Sequence, residues 1–208
     1  MTGSGSSRAP RPSSRSYERI GKADLRRLGQ LAAEDRDYFY RRRPEYRGRL
    51  FCVALCQGAA QHYLDVERGA AKPNGVKDFD VYSFFANIGG KRFPADRRQR
   101  HTDFGPSGFG REQAPDPRWR HYTGRRVDFL FRGLAVSLGD DPVEALRRYL
   151  GAGRTKTARL LALKGAVLIE PEQLLGRIAW PHTGPVGLTL DGEPGVRGRQ
   201  RRSHPGRW

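Results

Sequence analysis

The residues of this 208-residue chain whose types and spacing could do chemistry are Asp78, Asp80 and Asp128. The first two belong to Val76-Lys77-Asp78-Phe79-Asp80-Val81-Tyr82-Ser83-Phe84-Phe85, a β-branched and aromatic run that reads as a strand. Side chains alternate along a strand, so Asp78 and Asp80 share one face while Phe79 and Val81 take the other. Neighbouring carboxylates repel and raise each other's pKa unless a cation lies between them. Asp128 stands alone in a second strand-like run, Arg126-Val127-Asp128-Phe129-Leu130-Phe131. Three acids from two strands can hold one or two divalent ions, Mg²⁺ or Mn²⁺. That is the equipment of phosphoryl or nucleotidyl transfer, and equally of phosphodiester hydrolysis. Each acid also has a plainer reading: Asp-x-Asp as solvated charge in a turn or edge strand, and Asp128 as the ion-pair partner of Arg125 or Arg126. Burying unpaired carboxylates in so apolar a strand is costly, which favours the functional one.

These acids need a scaffold. An apolar stripe of Leu25, Leu28, Leu31 and Ala32, extended by Phe39, predicts a helix from Lys22 to about Tyr40, ended by Arg41-Arg42-Arg43 and Pro44. Arg49 to Gly58 is a short continuous apolar run that reads as a buried strand. Gly58-Ala59-Ala60 then turns into a short helix, Gln61 to Leu64, and a loop with Gly69, Pro73, Asn74 and Gly75 leads to the Asp78 strand. Residues 86–124, dense in Gly, Pro, Arg and aromatics, are expected to be irregular and functional or mobile. Asp141-Pro142 opens a helix that closes at Gly151, and Thr155 or Thr157 caps another from Ala158 to about Ile169. Pro171 to about Ile178 is a short final helix. The order predicts an α/β (α+β) domain over 17–180, a small mixed sheet flanked by helices.

The chain has 39 Lys and Arg against 22 Asp and Glu, a formal charge of +17, which invites a polyanionic partner. Much of the excess lies in a polar N-terminal tail, residues 1–16, and a Gly/Pro/Arg-rich C-terminal tail, residues 181–208, both expected to be disordered and able to hold nucleic acid. Arginine far outnumbers lysine, as a GC-rich genome produces without selection for binding. No apolar run has transmembrane length and the N-terminus lacks a signal-peptide pattern, so the expectation is a cytoplasmic protein without a membrane partner. Cys52 and Cys56 lie about 13 Å apart on an extended strand, too far for a disulfide, and read as buried thiols.

The residues Gly58-Ala59-Ala60, Asp78-Phe79-Asp80-Val81 and Asp128 together resemble the nucleotidyltransferase superfamily, the polymerase-β-like enzymes. Its pattern is a strand, a glycine-led turn into a short helix, a strand with Asp-x-Asp, and a later strand with a third acid. The resemblance covers about residues 48 to 132. It implies that Asp78, Asp80 and Asp128 hold Mg²⁺ and that a nucleoside triphosphate sits over Gly58 and Ala59. An acceptor hydroxyl on a protein, an RNA or a small molecule would receive the nucleotidyl group. Three features depart from the pattern. Ala59 stands where the family usually has serine, and the intervals from Gly58 to Asp78 and from Asp80 to Asp128 are long.

Two further residues join the candidate nucleotide site. His62 follows the glycine turn and could contact phosphate, or be a hydrogen-bonded helix residue. Lys164 interrupts an apolar helix, where it could neutralise a triphosphate or snorkel to the surface; Arg154 and Lys156 are weaker candidates of the same kind. His101 and Asp103 are placed in the irregular stretch, with either a loop-stabilising or a catalytic role, and Gly105, Gly108 and Gly110 match no phosphate-loop pattern. Two other readings compete with a transferase: a metal-dependent nuclease, and a non-catalytic protein of the same fold that binds nucleic acid or a protein partner.

Overall fold

The computed structural model describes residues 19–69, 76–106 and 124–181. They form a mixed six-stranded sheet with two helices on each face. In chain order the elements are α1 (Lys22–Arg42), β1 (Leu50–Cys56), α2 (Gln57–Glu67), β2 (Phe79–Ala86), β3 (Asp96–Pro106), β4 (Gly124–Leu134), α3 (Pro142–Ala152), α4 (Lys156–Ala162), β5 (Ala166–Glu170) and β6 (Ile178–Trp180). The strand order is β3-β4-β2-β1-β5-β6; β2 and β4 are parallel and the other neighbours antiparallel. No helix among the described residues is long and apolar enough to cross a membrane. Residues 1–16 and all of the expected C-terminal tail but Pro181 lie outside the described residues, as do Gly108 and Gly110.

The strands are apolar on both sides, and their alternation divides the core in two. Val81, Phe85, Val127, Phe129, Phe131, Val167 and Ile169 face α1 and α2. Tyr82, Phe84, Leu130, Ala166 and Leu168 face α3 and α4. Phe39 of α1 anchors the first layer: its ring stacks 4.8 Å from Phe131 and lies within 6 Å of Phe85, Phe93 and Tyr46. Ion pairs tie the same helix to two strands, Asp35 to Arg98 of β3 at 3.3 Å and Arg36 to Glu170 of β5 at 2.9 Å. Caps set the helix limits on the other face. Asp141 accepts from the Glu144 N–H at 2.8 Å with Pro142 next to it, Thr155 accepts from the Ala158 N–H at 3.0 Å, and Gly153 ends α3 in the left-handed conformation.

The structure differs from the sequence reading in four places. The helix expected from Ala158 to Ile169 stops at Ala162; Lys164 and Gly165 close it, and Ala166–Glu170 pairs with β1 as a strand. A short aliphatic run buried on both faces fits either element by periodicity alone, and the sheet decides it. The final helix expected from Pro171 is a single 3-10 turn, Glu172–Leu174, followed by β6. The stretch 86–124, expected to be irregular, contains β3. The short helix expected at Gln61–Leu64 is longer, beginning at Gln57.

Because Phe39 contacts five other rings in the α1 layer, Phe39→Ala should cost about 3–5 kcal/mol of unfolding free energy, read from urea or guanidinium denaturation.

Candidate functional site

The antiparallel pairing of β1 with β2 puts the carboxyl end of β1 beside the start of β2, with Cys56 opposite Asp80. The parallel pairing of β2 with β4 sets Asp80 opposite Asp128, and antiparallel β3 brings Gln99 opposite Asp128. Four strands thus meet at one level of the sheet, where β1 turns into α2. The turn is sharp: Gln57 has φ of 59°, a left-handed value that a non-glycine residue takes at a cost. No side chain among the described residues caps α2, which leaves its first-turn N–H groups open toward the same region.

A cavity of about 720 Å³ opens there on the α3 and α4 side. Asp78, one residue ahead of β2, lines it with Asp80 and Asp128, so the three acids chosen from sequence converge. Gly58 and Lys164 line it too. A Cβ on Gly58 would meet nothing within 4 Å, so this glycine leaves the cavity floor open. Ala59 and His62 do not line it. The Ala59 methyl packs in the core beneath, and His62 is buried within α2. Lys156 and Thr157, on α4, form the opposite wall with Leu160, whereas Arg154 lies outside it.

The acids are held by arginines. Arg126 donates to Asp78 at 2.7 Å and stands 3.4 Å from Asp128. Arg97 donates to Asp128 Oδ2 at 2.6 Å; its side chain is half exposed, whereas Asp128 is buried. Asp80 has no hydrogen bond or ion pair to any described residue. Burial, reinforced by Asp78 and Asp128, pushes its carboxyl up to about 7, and Arg126 and Arg97 only partly offset the rise. Six cationic side chains among the described residues line the cavity, since Lys77 and Arg132 join Arg97, Arg126, Lys156 and Lys164. They outnumber the three carboxylates, so the cavity favours an anionic ligand.

Sequence reasoning missed Arg97, Arg126 and Arg132 as site residues. Their strand phase carried the signal, because Arg126 and Arg132 alternate in step with Asp128. Arg97 needed the existence of β3, and the register that sets it across from Leu130, to be known first.

The oxygen donors suit Mg²⁺ or Mn²⁺ in kind. Three carboxylates converge, Asp80 is free of partners among the described residues, and buried Asp128 Oδ1 has no hydrogen-bond partner. As they stand, no three ligating side chains among the described residues come close enough to enclose an ion, and arginines hold Asp78 and Asp128.

Asp80 also gives the fold a pH dependence. Its folded pKa lies above the unfolded value of 3.8, so ionising it costs the native state. That cost grows as pH rises from about 4 through 7 and is complete above 7. In chelator, Asp80→Asn should therefore be more stable than wild type at pH 8, by on the order of a few kcal/mol and with a higher melting temperature, and the gap should close by pH 4–5. An equal gap at both pH values would refute this account of Asp80.

Comparisons with protein-family models, with curated proteins and with solved structures found no match to this chain in any of the three.

Proposed function

We propose that this chain is a metal-dependent, nucleotidyltransferase-like protein that moves a nucleotidyl group from a nucleoside triphosphate to an acceptor hydroxyl. One observation carries the reading: Asp80 and Asp128 in register, with Asp78, face a cavity floored by the uncapped first turn of α2 at Gly58. The element order agrees with the polymerase-β-like pattern, since a strand, a turn at Gly58 into a helix, Asp78-Phe79-Asp80 and a third acid on an adjacent strand follow one another. A cytoplasmic location, where nucleoside triphosphates and Mg²⁺ are plentiful, belongs to the same proposal.

Asp78, Asp80 and Asp128 would hold Mg²⁺ or Mn²⁺, which when bound supplies Lewis-acid polarisation and charge neutralisation at phosphorus. The chain's own groups do the rest by positioning and electrostatics. Gly58 lets phosphate oxygens approach the α2 N–H groups, where the helix dipole favours negative charge. Lys77, Lys156, Lys164 and Arg132 surround the same space and neutralise the remaining phosphate charge. Arg97 and Arg126 pair with Asp128 and Asp78 and line the same cavity, within reach of an anionic ligand.

A second reading has its own observation. Guanidiniums already neutralise Asp78 and Asp128, which suits a non-catalytic fold that binds an anion or a nucleic acid without metal. Melting curves separate the two. With Mg²⁺ and a nucleoside triphosphate at about 100 times its dissociation constant, wild type should gain roughly 2.7 kcal/mol. In Asp80→Asn that gain should vanish. Gly58→Ala should keep its ligand-free melting temperature, since the added methyl meets no neighbour, yet lose most of the gain because the methyl occupies the phosphate approach. A gain that needs no Mg²⁺, or is equal in all three proteins, would hand the assignment to the non-catalytic reading. Cleavage of labelled RNA or DNA with Mg²⁺ and no triphosphate would hand it to a nuclease.

A further inference from the structure

Outside the cavity, the strongest unexplained feature is a cluster of arginines and tyrosines where the end of α1 meets the edge strand β3. Segments 36–49 and 91–100 carry eleven Lys and Arg against three carboxylates. Arg98 and Arg100 pair with Asp35 and Glu34 of α1, Arg36 with Glu170 and Arg97 with Asp128, which still leaves a positive excess. Phe93 binds the two segments into one surface, lying 5.0 Å from Tyr46 and 5.9 Å from Phe39. At its centre Tyr38 is 37% exposed, with the Arg98 guanidinium 3.8 Å from the ring centroid and those of Arg41 and Arg42 at 5.7 Å. Arg47 stands 5.4 Å over Tyr40 nearby.

An exposed ring among guanidiniums is poorly explained as fold stabilisation, because exposed cation–π contacts contribute little. It suits a chain of phosphates and flat bases, in which arginines meet the backbone and a base extends the tyrosine–arginine stack. The surface is also continuous with the cavity. Arg42 reaches Asp96 at 3.4 Å, the Asp96 carbonyl accepts from cavity-lining Arg132 at 3.3 Å, and the next residue, Arg97, holds Asp128. Among the described residues β3 is an edge strand with no partner on its outer side, so a strand can pass from Tyr38 round to the cavity mouth.

We infer that this surface seats a single-stranded polynucleotide and leads its end toward the cavity. As the identity of the acceptor this rests on the transferase reading above; as a binding surface it stands without it.

The test is fluorescence anisotropy with the full chain and end-labelled 12-nucleotide single strands, one RNA and one DNA, against a duplex of the same sequence. The basic tails are present in every protein compared, so only differences between variants are read. Tyr38→Ala should weaken single-strand binding about tenfold and duplex binding far less. The double variant Arg41→Gln, Arg42→Gln should make the slope of log affinity against log salt shallower by up to about 1.4, about 0.7 per lost phosphate contact. All three positions are exposed, so melting temperatures should not move. Absent binding, affinities unchanged in both variants, or losses equal for duplex and single strand would overturn the inference; a partner of protein class would give the first result. The triphosphate-dependent melting shift of Tyr38→Ala should match wild type. Failure of that shift in every protein, with Tyr38-dependent binding retained, would remove the transferase reading and leave this surface standing.

Discussion

Two carboxylates face each other across neighbouring parallel strands, and the structure around the cavity follows from that placement. Strands lie about 4.8 Å apart, so Asp80 and Asp128 repel at short range where little water remains to solvate them. The chain answers with arginines from two directions. Arg126 comes from the same face of β4, two residues before Asp128, and Arg97 comes across from β3. The compensation is uneven. Buried Asp128 and half-exposed Arg97 form a close charge-assisted hydrogen bond, which raises the Arg97 pKa. Asp80 receives no such contact, and its carboxyl carries the penalty as a raised pKa. A site of this kind is poised: the least satisfied acid is the one at the centre of the trio, and it faces the cavity.

Strand β3 serves both sides of this arrangement through its period of two. Arg97 shares the cavity face with Gln99, whereas Arg98 and Arg100 point to the other face and pair with Asp35 and Glu34 of α1. A slip of one residue would exchange the two sets. In one direction it would set Gln99 against Asp35, and in the other Asp96 against Asp128, so that a buried acid loses its β3 cation either way. Register is therefore fixed twice over by electrostatics, besides the packing of Phe39 and Phe93 that holds α1 against the sheet. The link between sheet edge and cavity is a consequence of this double pairing.

The sequence made the acids legible because their neighbours are so apolar. Asp80 and Asp128 interrupt runs that are otherwise largely apolar on both faces, and an interruption in a buried strand has few structural explanations. Helices α1 and α3 were equally plain, one from its stripe and the other from Asp141-Pro142. Ala166-Val167-Leu168-Ile169 was not, because it is apolar on every phase and the choice of strand is made by β1, over a hundred residues away. The misreading carried Lys164 into a helix, although it stands in the closing turn after α4 and lines the cavity from there. β3 was hidden for the opposite reason. Its described side chains are nearly all polar, because its two faces are devoted to ion pairs with α1 and with the cavity rather than to a core. Pairing of that kind leaves no hydrophobic period to read.

The alanine at position 59 shows how such a departure should be weighed. By the resemblance, a serine there would grip phosphate through its hydroxyl. In this fold the side chain at 59 is 1% exposed and packed with the α2 core, so a hydroxyl there would be buried away from the cavity. The residues that do face the cavity from this turn are Gln57 and Gly58, and what they offer an anion is mainly backbone. A hydroxyl is present in the lining all the same, on Thr157, between Lys156 and the Leu160 wall. On the proposed reading, phosphate would therefore be gripped between the first turn of α2 and the side chains of α4, rather than by a single glycine–serine turn. Such a division would make the distance between α2 and α4 a determinant of affinity. It would also give a role to Lys164, which lines the cavity from the turn closing α4.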